Sequence, residues 1–190
     1  PCGKSSAAAA ETVPTAVKVE PSREYSQVPA PAMPVTAIPP RTALASTGVR
    51  VLDIELARVA DGLDPKKYLP AMEAGAELGA KHVISSIWTA DRVFATECFA
   101  QLCDLARPLG LTINLEFVTF ASVRTLQEAL EVLRAARREN CGVLVDTLHF
   151  SRSRVGPAEL NAVPREWFHF VHLCDAPAGI PPTTEGLILT

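Results

Sequence analysis

Short apolar runs alternate with amphipathic stretches about every 30 residues, and this rhythm restricts the chain to parallel β/α architectures. Strands are expected near residues 50–55, 82–87, 112–117, 143–148 and 169–173. Asp64 and Pro65 supply an N-cap and a first helical position, for a helix that stops at Gly79. Residues 90–109 place Phe94, Cys98, Leu102 and Leu105 on one helical face, and Pro108 and Gly110 mark the end. Residues 126–138 turn Leu126, Leu130, Leu133 and Ala136 inward and finish in Arg137 and Arg138, which suit the negative end of a helix dipole. Residues 157–167 read as a short helical or irregular return. The unbroken run Val143-Leu144-Val145 indicates a strand covered on both faces, hence a parallel sheet.

The first 41 residues differ from the rest. They hold eight of the sixteen prolines, and no apolar period survives in them for more than a few residues. Proline removes backbone donors and blocks helix, so this stretch is expected to be a disordered tail, with a folded domain over 42–190. Residues 42–48 read as the end of a helix closed by Gly48.

Three of the strands end in residues that can hold a metal: Glu116, Asp146 and His172, spaced 30 and 26 residues apart. Side by side in a parallel sheet, these ends share the rim that carries chemistry in such folds. Two carboxylates and an imidazole suit one divalent cation such as Mn, Mg, Co or Zn. Taken singly, each has a plainer reading: a loop carboxylate for Glu116, a satisfied core histidine for His172. Asp146, hard against a buried strand, needs a partner in any case.

Other residues extend the candidate site. His149 lies three residues past Asp146, where a loop could turn it inward as a catalytic or substrate-binding group. Asp53 and Glu55 are read as closing the first strand, and Glu55 is a candidate substrate contact or a loop cap. Arg152 or Arg154 could clamp a phosphate or carboxylate. Trp88 could wall a sugar or fill the core. Asp175 could orient a ligand or simply serve the turn before Pro177.

Several classes are set aside. A net charge of −3 does not favour nucleic acid. The five cysteines are odd in number and form no Cys-x-x-Cys pair, which points to reduced thiols and a cytoplasmic setting. No apolar stretch is long enough to span a bilayer, so no membrane partner is expected. No glycine-rich dinucleotide or phosphate-binding motif occurs.

The strings Val-Leu-Asp-Ile-Glu-Leu, Asn-Leu-Glu-Phe, Val-Leu-Val-Asp-Thr-Leu-His-Phe and His-Leu-Cys-Asp-Ala-Pro resemble the sugar phosphate isomerase/epimerase family, with its xylose isomerase-like barrel. The resemblance covers residues 42–190 and implies a partial (β/α)8 TIM barrel, about strands three to seven. It implies an enzyme that isomerises or epimerises a small sugar or polyhydroxy carbonyl compound through an ene-diolate. Glu116, Asp146 and His172 match three of the family's metal ligands, and His149 matches a substrate-contacting position; a carboxylate must move the proton, and Glu116 is the candidate in view. A second metal-binding glutamate is expected beyond Thr190. A dehydratase of the same superfamily and a non-catalytic barrel fragment are the alternatives. The implied partner is a sugar-like small molecule, with room for a homo-oligomer.

Overall fold

The computed structural model describes residues 40–189. The proline-rich tail read from the sequence therefore lies outside the described residues, except for its last two positions. Helix α1 opens at Pro40 and runs to Thr47, and Gly48 closes it at φ +72°. Strand β1 (Asp53–Val59), helix α2 (Leu69–Glu77), β2 (His82–Ile87), α3 (Arg92–Ala106), β3 (Thr112–Glu116), α4 (Leu126–Ala136) and β4 (Cys141–Asp146) then alternate without exception. A short helix α5 (Thr147–Arg152) follows β4 directly. Two 3-10 turns, Pro157–Ala162 and Arg165–Trp167, return the chain to β5 (Val171–His172), and α6 spans Thr184–Leu189. The five strands pair in sequence order and every pairing is parallel, as expected.

The helices begin where the sequence supplies caps. Asp91 Oδ1 accepts the amides of Val93 and Phe94 at 3.0 Å and starts α3. Thr125 and Glu128 form a reciprocal capping box at the head of α4. Its tail is tied sideways: Arg138 grips Asp104 of α3 through Nε and Nη2, each at 2.9 Å. The main core lies between the sheet and α2–α4, built on Met72, Phe99, Leu102, Ile113, Leu115, Leu130, Leu133 and Val143. Because strand side chains alternate, burying Ile113, Leu115 and Val143 toward the helices turns Asn114, Glu116, Leu144 and Asp146 to the opposite face.

Three strands differ from expectation by two residues or more at an end. β1 runs from 53 to 59, not 50–55, because Ala57 and Val59 are buried and carry the strand onward past an irregularity between Ile54 and Ala57. Asp53 consequently opens β1, paired with His82 at the far end from the rim. β4 stops at Asp146 rather than 148, because the Asp146 carboxylate caps α5. β5 is only two residues long. No helix among the described residues is long and apolar enough to cross a membrane.

A polar network holds the segment leading into β5 against this inner face. His169 Nδ1 donates to Asn114 Oδ1 at 2.6 Å, and Asn114 Nδ2 donates to Thr112 Oγ1 at 3.0 Å. Thr112 Oγ1 in turn shares a 2.7 Å hydrogen bond with His82 Nδ1. Gly142 of β4 makes room for it: a Cβ there would sit 2.5 Å from the Trp167 carbonyl oxygen and 2.6 Å from His169 Nδ1. Gly142→Ala is therefore expected to lower stability by about 1–3 kcal/mol through overpacking, measured by chemical denaturation. An unchanged midpoint would show that residues 167–169 are not seated on β4 as described.

Candidate metal centre

Asp146 anchors the site. Its Oδ1 accepts the Leu148 amide at 2.8 Å and the His149 amide at 3.2 Å, while Cys174 Sγ donates to Oδ2 at 2.9 Å. One carboxylate thus ends β4, starts α5 and touches the segment just after β5. Thr147 reinforces the join: its hydroxyl donates to the Cys174 carbonyl and accepts the Cys174 amide, both at 2.8 Å. The β4–β5 register pairs Asp146 with His172. Glu116 comes from the end of the neighbouring β3. One ligand atom each from Glu116, Asp146 and His172 lie within 4.8 Å of one another. The three residues singled out by spacing therefore converge.

Electrostatics test whether this trio suits a cation. Glu116 is only 9% exposed. Burial first, then the charges of Asp146 and Glu55, push its carboxyl up to about 7 from the usual 4.5. A carboxylate beside two others in a poorly solvated place is costly to ionise. A positive charge at their meeting point removes the cost, so the donor set fits a divalent cation. Cys174 is pushed up to about 11, mainly by its hydrogen bond to Asp146.

The remaining candidates fall into place unevenly. His149 is buried in the first turn of α5, three residues from Asp146 and on the same side of the helix. Its Nδ1 meets Thr119 Oγ1 at 3.3 Å and its ring lies edge-on to Phe120. Burial lowers its pKa, and Asp146 opposes this. Trp88 is half-buried, donates from Nε1 to Ser86 Oγ at 2.8 Å and tilts against Phe120. Glu55 does not close its strand; it is exposed in mid-β1, yet near enough for its charge to act on Glu116. Asp175 binds no candidate ligand: it is exposed and accepts the amide of Ala176 at 2.8 Å. Cys174, its neighbour, makes the contact expected of it. Arg152 is buried, whereas Arg154 is exposed.

Two site residues were not anticipated. Arg58 sits with its guanidinium carbon 4.2 Å from the centre of the Trp88 ring. Phe120 links Trp88 to His149. Placing the end of β1 at Val59 rather than Glu55 is the signal that finds Arg58. Together Arg58 near the end of β1 and Trp88, Phe120 and His149 just after β2, β3 and β4 form an aromatic and cationic row.

Comparison with known proteins agrees with this fold. The family model described as xylose isomerase-like TIM barrel matches residues 60–183. An inosose isomerase of Bacillus velezensis is 32% identical over 94 residues, covering 44% of this chain and 34% of the relative. The chain thus spans about a third of that relative's length. Among solved structures, the IolI protein with a zinc atom is similar at TM-score 0.63 and 20% identity, over 70% of this chain and 54% of that one. The apo 3-keto-D-glucoside 4-epimerase of E. coli is similar at TM-score 0.63 and 18% identity, over 78% and 69%. At such identities the two structures speak for the fold.

The raised Glu116 carboxyl has a sign that can be checked. Its folded-state value lies above the unfolded one, so the stability it contributes is full below about pH 4.5 and is lost as pH rises through about 7. In chelator, Glu116→Gln is expected to stabilise the chain at pH 8 by a few kcal/mol at most, taking about 1.4 kcal/mol per pKa unit. The gain should vanish near pH 4. Thermal unfolding across this range decides it, and a variant less stable than wild type at pH 8 would contradict the repulsion.

Proposed function

Because the chain belongs to the xylose isomerase-like TIM barrel family, as its match over residues 60–183 shows, we propose that it is an isomerase or epimerase dependent on a divalent metal, acting on a small sugar or polyhydroxy carbonyl compound. The observation that carries this is the meeting of Glu116, Asp146 and His172 within 4.8 Å at one rim. Names of relatives support the substrate class: an inosose isomerase and a 3-keto-D-glucoside 4-epimerase.

Glu116, Asp146 and His172 would hold the cation. When bound, it would polarise the substrate carbonyl and favour an ene-diolate. The protein's own groups account for the rest. A Glu116 oxygen takes the proton from the carbon next to the carbonyl; of the centre's two carboxylates it is the one free of a hydrogen bond to α5 or Cys174. His149 has Nδ1 turned to Thr119, which leaves Nε2 for a substrate hydroxyl. Its lowered pKa favours a neutral ring, able to donate or accept there. Trp88 and Phe120 supply apolar faces against which a ring or chain of carbons can lie. Cys174 fixes the Asp146 carboxylate, and the backbone amides of α5 fix its other oxygen.

Metal affinity and turnover test this together. Glu116→Gln, Asp146→Asn and His172→Ala are each expected to weaken Co²⁺ or Mn²⁺ binding by more than about 100-fold and to abolish turnover of inososes and ketoses. A ligand loss exceeds the 10–100-fold typical of removing a supporting residue. His149→Asn should lower turnover while leaving metal affinity within about threefold, since it touches a ligand only through its backbone. Equal metal affinity in wild type and all three ligand variants would sink the proposal.

A further inference from the structure

The hydrogen bonds from His169 through Asn114 and Thr112 to His82 run in one direction. His169 Nδ1 donates to Asn114 Oδ1, and Asn114 Nδ2 donates to Thr112 Oγ1 while also approaching the Thr112 carbonyl at 3.5 Å. A carbonyl only accepts, so the amide nitrogen of Asn114 is the atom on the Thr112 side. The Thr112 hydroxyl already accepts from Asn114, and its own proton goes to its other neighbour, His82 Nδ1. His82 Nδ1 therefore accepts, and the neutral ring carries its hydrogen on Nε2. A proton added at Nδ1 removes that acceptor and breaks the last link.

The same imidazole touches the segment that carries a metal ligand. The His82 ring stacks on Phe170 at 5.0 Å and on His169 at 5.4 Å, and Phe170 lies edge-on to His172 at 5.5 Å. One phenyl ring thus separates His82 from His172. His82 and Thr112 open β2 and β3. They lie away from the rim, roughly 13 Å below Glu116 at about 3.3 Å per strand residue. Burial, then His169, lowers the pKa of His82 from its ordinary 6.5; Asp53 of β1 opposes this, and Lys81 adds to it. His169 meets the uncharged Asn114 and Gly142, and burial lowers its pKa too. Folded-state values below the unfolded ones mean that the stability these rings contribute is full above about pH 6.5 and is lost as pH falls through the folded values. Two stacked imidazolium rings would also repel each other.

We propose that His82 and His169 form a proton-controlled latch for the metal ligand His172. Neutral, they seat residues 168–172 on the inner face; protonated, they release that segment and the ligand with it. His82 is a positioning residue, acting on His172 through Phe170. This rests on reading Glu116, Asp146 and His172 as the metal centre. Metal capture then depends on pH from the far end of the sheet, in addition to the titration of the ligands themselves.

The test uses the 190-residue chain. In chelator at pH 8, ring ¹⁵N NMR should show the hydrogen of His82 on Nε2 and that of His169 on Nδ1. Between pH 8 and pH 5, the backbone amides of residues 169–173 should lose hydrogen-exchange protection while those of β2 and β3 keep theirs. His82→Asn and His169→Asn each place an untitratable amide where Nδ1 stood, so either should suppress this acid step, and the pair guards against one variant that misfolds. From pH 8 to pH 5, Co²⁺ affinity should fall about tenfold further in wild type than in His82→Asn, the effect of one pKa unit. An equal acid step in wild type and both variants overturns the latch. So does His82 with its hydrogen on Nδ1, or loss of protection throughout the sheet at once. Exchange is read without metal, so latch and centre fail separately. Co²⁺ affinity retained in His172→Ala, with the acid step intact, faults the centre and leaves the latch. Co²⁺ affinity lost in His172→Ala, with no acid step in wild type, faults the latch and leaves the centre.

Discussion

Everything at the rim depends on the Asp146 carboxylate. Three donors from two segments converge on it: the amides of Leu148 and His149, and the thiol of Cys174. The amides end the strand and start α5, which swings His149 and Arg152 into buried positions. The thiol, with Thr147 gripping both backbone groups of Cys174, fixes the chain just beyond β5. His172 owes its place beside Asp146 to this join, because two residues of strand pairing are too few to hold a segment alone.

The same arrangement concentrates negative charge. Asp146 and Glu116 occupy adjacent strand ends on one face, and Glu55 adds its field from β1. Burial removes the water that would screen them. A fold tolerates such a cluster where protonation or a cation relieves it, and the imidazole of His172 at the same point favours a cation. Beneath the rim, Asn114 and His169 satisfy each other across 55 residues of sequence. Gly142 leaves the gap that lets them meet.

Much of this is legible in the chain. The parallel order and the limits of β2 follow from apolar period, glycine and proline, all of which are local signals. The trio of Glu116, Asp146 and His172 follows from strand spacing alone. Misreadings arise where one residue has two roles or where the partner is distant. Asp146 reads as a strand end and a ligand, which conceals the helix it caps; His149 is then placed on a loop. Val49 and Leu52 look like strand interior, yet both are exposed, and the strand proper lies further on at Ala57 and Val59. Arg58 stacked on Trp88, and Cys174 on Asp146, are contacts across 30 and 28 residues that no local pattern encodes.

The central claim is that buried, mutually repelling carboxylates await a cation at this rim. Carboxyl-carbon NMR of ¹³C-labelled Glu116, assigned through the Glu116→Gln variant and titrated with and without Zn²⁺, tests it most directly. The account predicts a midpoint near 7 in chelator and loss of that titration, with proton release, when the metal is bound. A midpoint near 4.5 in chelator that Zn²⁺ leaves unmoved would contradict it.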